Sequence, residues 1–229
     1  DPNKFQSPPE GFDWEMWLGP ARYHAYNPDF VHFNWRWMMD FGGGFIRDRG
    51  AHIMSIIQWS LDMDHQFPRK ITATGRPQIE TLWDVPESMD VVFEFADRDL
   101  TVHWKQPGDS ITGHPYGMVF HGTEGDLVVE GGDGHTEPEA KALEYEPPAG
   151  GFVPFWNRKT HRDHWMDCIK TRERPNLDVA IGCDTANVCN FALLSYVLRR
   201  PLEWDAENQQ FMNDDQANEL LSVPGRGQW

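Results

Sequence analysis

Cysteine is scarce in this sequence, and basic residues are far fewer than acidic ones. The 229 residues include three cysteines, an odd number that does not fit a disulfide framework. Cys168, Cys183 and Cys189 lie in half-apolar, helix-like contexts, so we expect small buried thiols and no zinc site. With 20 Lys and Arg against 36 Asp and Glu, the formal charge is −16. This balance argues against a nucleic-acid-binding surface, because phosphate contacts need clustered basic side chains.

Long apolar runs and the common site signatures are also missing. No stretch approaches the roughly 18 apolar residues of a membrane-spanning helix, and the apolar run from Phe191 to Leu198 is interrupted by Ser195. We therefore expect no membrane span. The sequence has no P-loop, GxSxG or HExxH pattern. The glycines from Gly131 to Gly134 do not form GxGxxG and precede no helical pattern, so they are not a dinucleotide-binding fingerprint.

Apolar and aromatic residues, in contrast, are plentiful. They make up 39% and 13% of the chain, enough for a packed core. We expect a single domain over residues 1–229, with an irregular aromatic segment at 1–41 that is pinned to the protein by its rings, and an α+β body at 42–229. The rings from residue 12 to residue 45 are Phe12, Trp14, Trp17, Tyr23, Tyr26, Phe30, Phe33, Trp35, Trp37, Phe41 and Phe45.

The order of the predicted elements indicates an α+β fold. Apolar spacing predicts a helix from about Asp48 to Leu61. Short turns at 96–99 and 124–125 favour antiparallel hairpins in the strand region that follows. The predicted strands are 70–75, 89–95, 100–105, 118–121 and 126–130. A loop with one short strand near 143–145 comes next. The predicted late helices are 159–171, 184–199 and 214–221, the last behind an Asn213 cap. This order argues against a doubly wound parallel sheet.

The run from Gly42 to His52 is the strongest candidate for a site. Its three glycines allow a tight turn and a close backbone approach. Asp48 and His52 are four residues apart, so on a helix they share a face. There the carboxylate could orient the imidazole while a ring nitrogen takes a proton from a bound hydroxyl. The alternative is an acidic residue that complements the helix dipole beside an ordinary half-buried histidine.

Two further groups of residues have functional and structural interpretations. His161, His164 and Asp167 lie at i, i+3 and i+6 and could in principle ligate a metal. That helix must also bury Trp165, Cys168 and Ile169, so we favour a surface or supporting role and predict no metal site. Asn34, Trp35 and Arg36 place an amide and a guanidinium among aromatic rings, which suits recognition of hydroxyl groups or a carboxylate. Tryptophans are nevertheless more often core or interface residues.

Several segments together resemble one protein family. They are residues 13–21 (DWEMWLGPA), 34–36 (NWR), 42–52 (GGGFIRDRGAH), 122–125 (GTEG), 163–175, 204–205 and 213–221. In this order they resemble the carboxy-terminal domain of the Gfo/Idh/MocA oxidoreductases, in the branch common in planctomycetes and Bacteroidetes. The resemblance covers nearly the whole chain.

The resemblance implies a large, mostly antiparallel open sheet with helices on one face, as in the carboxy-terminal domain of glyceraldehyde-3-phosphate dehydrogenase. It also implies an NAD or NADP cofactor held mainly by an amino-terminal Rossmann domain with an EKP lysine, both of which are missing from these residues. We therefore expect this chain alone to be inactive. Asp48 and His52 match the family's catalytic pair, and Gly43 and Gly44 would offer only a backbone approach to the cofactor.

A sugar or polyol substrate and a homodimer or homotetramer formed through the sheet face are further expectations from the family. Asn34, Trp35, Arg36 and Arg47 would contact the substrate. Arg47 and Arg49 depart from the family pattern, so either an acidic or phosphorylated substrate or simple salt bridges would account for them. An NAD-dependent glycosidase of the same fold and a non-enzymatic sugar-binding or assembly domain are the alternatives. Family members occur in the cytoplasm or, with a twin-arginine signal, in the periplasm.

Overall fold

The computed structural model describes residues 4–107, 117–130, 133–137, 139, 161–222 and 225–226. The chain divides into two compact units. Unit 1 comprises residues 1–107 and 183–229, and unit 2 comprises residues 108–182.

The amino-terminal aromatic segment contains short helices and a small core of its own. Helix α1, Trp14–Leu18, is capped by Asp13, whose carboxylate accepts a hydrogen bond from the Met16 amide at 2.9 Å. Two 3₁₀ helices follow, at Pro28–Phe30 and Asn34–Trp37. The buried residues of this core are Trp14, Leu18, Tyr26, Phe30 and Met38. The predicted irregular loop is thus partly helical, and its rings pack mainly on one another.

A five-stranded antiparallel sheet forms the centre of unit 1. Its strands are β1 (Lys70–Pro77), β2 (Pro86–Phe95), β3 (Leu100–Gln106), β7 (Leu202–Asp205) and β8 (Gln210–Phe211), in the order β3-β2-β1-β7-β8. Phe93 of β2 lies opposite Val102 of β3 and Ile71 of β1. The predicted hairpin at 96–99 is confirmed, whereas β7 and β8 were not predicted.

Helices cover one face of this sheet. Strand residues alternate, so that Ile71, Ala73 and Phe93 are buried while Thr101 and His103 are exposed on the other side. Helix α5, Val179–Leu198, packs on the buried face. Its Ser195 hydroxyl lies 3.0 Å from the Ala73 amide, from which it accepts, and 2.8 Å from the Arg200 carbonyl, to which it donates. The α+β class and the antiparallel sheet with helices on one face are therefore as predicted.

Helix α5 begins at Val179, five residues before its predicted start at Asp184. Among the described residues, α5 is the one helix whose length and composition would allow it to cross a membrane. Its residues Val188, Cys189, Phe191 and Ala192 are buried. Helix α5 is apolar because it packs in the core, as this burial and the hydrogen bond between Ser195 and β1 indicate.

Unit 2 contains a second antiparallel sheet and a helix. The sheet has the order β4 (Gly117–His121), β5 (Asp126–Glu130) and β6 (Asp133–Glu137). The predicted hairpin at 124–125 is confirmed. Strand β6 lies where a loop was predicted, and the predicted strand at 143–145 is outside the described residues. Helix α4 spans His161–Thr171.

Three local predictions are corrected by the structure. Helix α4 buries Cys168 but leaves Trp165 and Ile169 exposed, although both were predicted to be buried. Cys183 is an exposed free thiol, whereas Cys168 and Cys189 are buried as predicted. The last helix, α6, spans Asp215–Glu219 and is capped by Asp214, which accepts from the Ala217 amide, rather than by Asn213.

Candidate functional site

A tight turn precedes the candidate acid/base pair. The Met38 carbonyl accepts hydrogen bonds from the amides of Phe41, Gly42 and Gly43, at 3.1, 2.7 and 3.3 Å. A Cβ on Gly42 would lie 2.3 Å from the Cα of Arg36, so this turn presses against the Asn34–Trp37 helix. Gly43 has φ of 97°, in the left-handed region where glycine is favoured. Gly42 and Gly43 therefore allow the turn to pass close to the backbone of the Asn34–Trp37 helix.

Two short helices follow this turn in place of the single helix predicted from Asp48. Helix α2 spans Gly44–Asp48 and helix α3 spans Gly50–Ser60, with Arg49 between them. The His52 amide donates to the Arg49 carbonyl at 3.1 Å. Asp48 is thus the last residue of α2, and His52 lies in the first turn of α3.

The carboxylate of Asp48 pairs with Arg36. The Nε of Arg36 lies 3.4 Å from Oδ1 of Asp48, and its Nη1 donates to the Phe33 carbonyl at 2.5 Å. The guanidinium carbon is 3.7 Å from the centre of the Phe33 ring. Asp48 is 39% exposed, and His52 is exposed as well. Of the predicted site residues, Arg36 and Asp48 are brought into contact, whereas Asp48 and His52, both described, form no hydrogen bond with each other.

Exposed aromatic rings flank this ion pair. Phe33 is 65% exposed and Trp35 is 37% exposed. The guanidinium of Arg36 lies 5.1 Å from the Trp35 ring centre. Asn34 is half-buried in the same short helix. Around Arg36 the arrangement offers ring faces, N–H donors and the Asp48 carboxylate, which are the groups that bind hydroxylated ligands.

Arg47, Gly43 and Gly44 are used by the internal packing of unit 1. Arg47 hydrogen-bonds the Asn190 side chain on α5. A Cβ on Gly43 would clash with the Arg47 and Leu193 side chains, and one on Gly44 would lie 3.0 Å from Val85. Both glycines are buried. Their backbone is covered by the protein itself, so these two positions do not form an open cradle for a dinucleotide.

A second polar cluster next to the glycine turn was not predicted. Asp40 accepts hydrogen bonds from Arg22, at 2.7 and 3.0 Å, and lies 2.7 Å from Nε2 of His24. Burial disfavours the ionised carboxyl, but the hydrogen bonds from Arg22 and His24 outweigh it and hold the pKa of Asp40 below its usual range. Nearby, burial raises the pKa of Asp84, which accepts from the Met39 amide at 2.7 Å. The partners are far apart in sequence, so no spacing rule could have found this cluster.

The second candidate cluster of the sequence lies on α4. His164 Nε2 is 3.5 Å from the Cys168 thiol, and the His161 side chain is outside the described residues. Across the described ranges, no three His, Cys, Asp or Glu side chains form a group that could hold a metal ion.

Comparison with known proteins places this chain in a family context. Residues 3–109 and 152–229 match the Gfo/Idh/MocA family model described as "Oxidoreductase family, C-terminal alpha/beta domain". No curated protein sequence matches significantly.

Two solved structures illustrate the likeness in fold. An NAD-binding protein from Listeria innocua aligns with a TM-score of 0.52 at 14% identity, over 76% of this chain and 55% of its own. An oxidoreductase domain protein from Kribbella flavida aligns with a TM-score of 0.51 at 15% identity, over 83% of this chain and 55% of its own. The chain thus spans about half the length of these two proteins. At such low identity the likeness establishes the fold alone.

Proposed function

Because the chain belongs to the C-terminal alpha/beta domain family of the Gfo/Idh/MocA oxidoreductases, we propose that it is the substrate-binding and acid/base part of an NAD(P)-dependent enzyme acting on a sugar or polyol. The observation that carries the proposal is the exposure of Asp48 and His52 at the junction of α2 and α3. Arg36 pairs with Asp48, and the rings of Phe33 and Trp35 lie beside the Arg36 guanidinium.

In this proposal His52 is the proton acceptor. In the direction of alcohol oxidation, a ring nitrogen of His52 takes the substrate hydroxyl proton while a hydride leaves the neighbouring carbon, which becomes a carbonyl carbon. The oxidised nicotinamide, when bound, supplies the hydride acceptor. Asp48 places a negative charge near the imidazolium that forms and so stabilises it. This electrostatic role does not require a direct Asp48–His52 hydrogen bond.

Two arginines of the site are already engaged within the protein, and we propose a neutral hydroxylated substrate. Arg36 already has Asp48 as its counter-ion, and Arg47 is held by Asn190. These two arginines therefore give no support to an acidic or phosphorylated substrate. Arg36 and Asn34 supply donors for substrate hydroxyls, while Trp35 offers a ring face to the C–H side of a sugar. Arg47 has an indirect role, because it holds the glycine turn in place.

NAD or NADP is the cofactor class in this proposal. Gly43 and Gly44 are covered by side chains of the protein, so their proposed role is limited to shaping the turn. Residues 1–229 contain no GxGxxG pattern. We therefore assign dinucleotide binding mainly to residues outside this range. Residues 1–229 alone should then not turn over substrate. Homodimers or homotetramers formed through the exposed face of the five-stranded sheet complete the proposal.

The test is an activity screen of the protein expressed from its complete gene. We expect net formation of NADH or NADPH with at least one sugar or polyol, followed by absorbance. The Asp48→Asn variant should lower kcat by roughly tenfold or more, as expected for loss of a charge beside a catalytic base. Release of an aglycone from aryl glycosides without net reduction of NAD(P) would contradict the dehydrogenase and favour the glycosidase. Sugar binding with neither activity would favour a non-enzymatic domain.

A further inference from the structure

Helix α4 of unit 2 turns its large apolar side chains outward. Trp165, Met166 and Ile169 are 57%, 44% and 40% exposed, whereas Cys168 is buried. Positions 165, 166 and 169 share one face of a helix. An amphipathic helix normally buries its apolar face, so this orientation calls for a partner.

The apolar surface continues beyond the helix. Leu177 is 48% exposed and Val179 is 89% exposed. Trp165, Leu177 and Val179 together line a cavity of about 400 Å³ that also includes His164 and Asp178. We call Trp165, Met166, Ile169, Leu177 and Val179 the α4 surface. Single exposed apolar residues are ordinary, but an apolar group around a hollow is typical of an interaction site.

The charges around the α4 surface are balanced, unlike those of the chain as a whole. Residues 161–182 contain four basic and four acidic side chains, which are Arg162, Lys170, Arg172 and Arg174 with Asp163, Asp167, Glu173 and Asp178. The net charge of −16 is therefore carried entirely by the other residues. Two copies that meet through this segment bring no net charge together, whereas acidic surfaces elsewhere would repel.

We propose that the α4 surface is an interface between two copies of this chain. The exposed Trp165 ring projects from the surface at the edge of the cavity. In a dimer with two-fold symmetry, the Trp165 ring of each copy enters the cavity of the other. Aromatic residues that fill a pocket at the centre of a patch contribute most of the binding energy of such interfaces. This contact is separate from the sheet face and does not depend on the proposed reaction.

The experiment is sedimentation velocity on this chain from about 1 to about 300 µM, the range suited to a small interface of moderate affinity. Trp165→Asp and Leu177→Asp each place a charge in the α4 surface. Ile79→Asp is the matched control, because Ile79 is 80% exposed in unit 1. Val92→Arg tests the exposed face of the five-stranded sheet. All four positions are at least partly exposed, and circular dichroism would verify folding.

We expect the wild type to dimerise in this range and both α4 variants to weaken the dimer at least about tenfold, a loss of about 1.4 kcal/mol. Ile79→Asp should leave it unchanged. Added salt should not weaken the dimer, since the contact carries no net charge. A wild type that stays monomeric throughout, or α4 variants that dimerise like the wild type, would overturn the proposal. Val92→Arg reports separately on the sheet-face contact of the proposed function. Loss of self-association in Val92→Arg with no loss in the α4 variants would overturn the α4 proposal and leave the sheet-face contact in place.

Discussion

Replacing Gly42 by alanine should destabilise unit 1 strongly, because the added methyl has no room. Its Cβ would lie 2.3 Å from the Cα and 2.6 Å from the carbonyl oxygen of Arg36. Carbon atoms in contact prefer separations of about 3.5–4.0 Å, so the new Cβ and the Arg36 Cα would be too close by about 1 Å or more. The obstacle is backbone and cannot rotate away. Either the glycine turn or the Asn34–Trp37 helix must move.

The size of the effect follows from the kind of overlap. Overpacking in a close-packed site costs about 1–3 kcal/mol, and a backbone clash belongs at the upper end of that range. Movement of Arg36 would also loosen its contact with Asp48, which adds to the loss. We therefore expect Gly42→Ala to lower the free energy of unfolding by about 3 kcal/mol.

Urea unfolding followed by tryptophan fluorescence measures this loss. Gly182→Ala is the matched control, because it lies within helix α5 and a Cβ there meets nothing within 4 Å. Alanine is the better helix former, so this control should gain up to about 1 kcal/mol. If Gly42→Ala were as stable as the wild type while Gly182→Ala behaved as expected, the close approach between the backbones of residues 36 and 42 would be refuted.

Two further substitutions test the core and the polar cluster. Ser195→Ala leaves the Ala73 amide without the hydroxyl that accepts from it, so unfolding free energy should fall by about 1–3 kcal/mol; an unchanged urea midpoint would contradict this role. Asp40 has a lowered folded pKa, so its stabilisation is complete above the unfolded value of about 3.9 and is lost as pH falls through the folded value. Asp40→Asn should therefore flatten the acid side of the stability–pH curve; an acid limb as steep as the wild type's would refute it.

The main sheet could be predicted because its strands alternate apolar and polar residues. Val91, Phe93 and Phe95 face the core while Glu94 between them does not, and this period of two is visible in the sequence. Strands β7 and β8 were missed because Leu202–Asp205 and Gln210–Phe211 are too short to show a period. The α5 helix was found, but its start was misplaced because Asp178, rather than a residue near 184, accepts from the first-turn amide of Ile181.

The spacing of the candidate site residues is visible in the sequence, but their contacts are not. Asp48 and His52 stand out by their spacing, yet the partner of Asp48 is Arg36, twelve residues earlier. That contact depends on the turn at Gly42, which the sequence suggests only as a flexible position. The outward face of α4 could not be foreseen, because apolar spacing shows which residues share a face but not what covers that face.

The proposed reaction requires that His52 accepts a substrate proton. Steady-state turnover of His52→Ala, in the protein expressed from its complete gene and with its sugar or polyol and NAD(P), tests this requirement. His121→Ala is the control, since the His121 side chain is 76% exposed on β4 of unit 2. We expect His52→Ala to lower kcat by about 10²-fold or more, while His121→Ala keeps the activity of the wild type. Wild-type turnover in His52→Ala would contradict the claim.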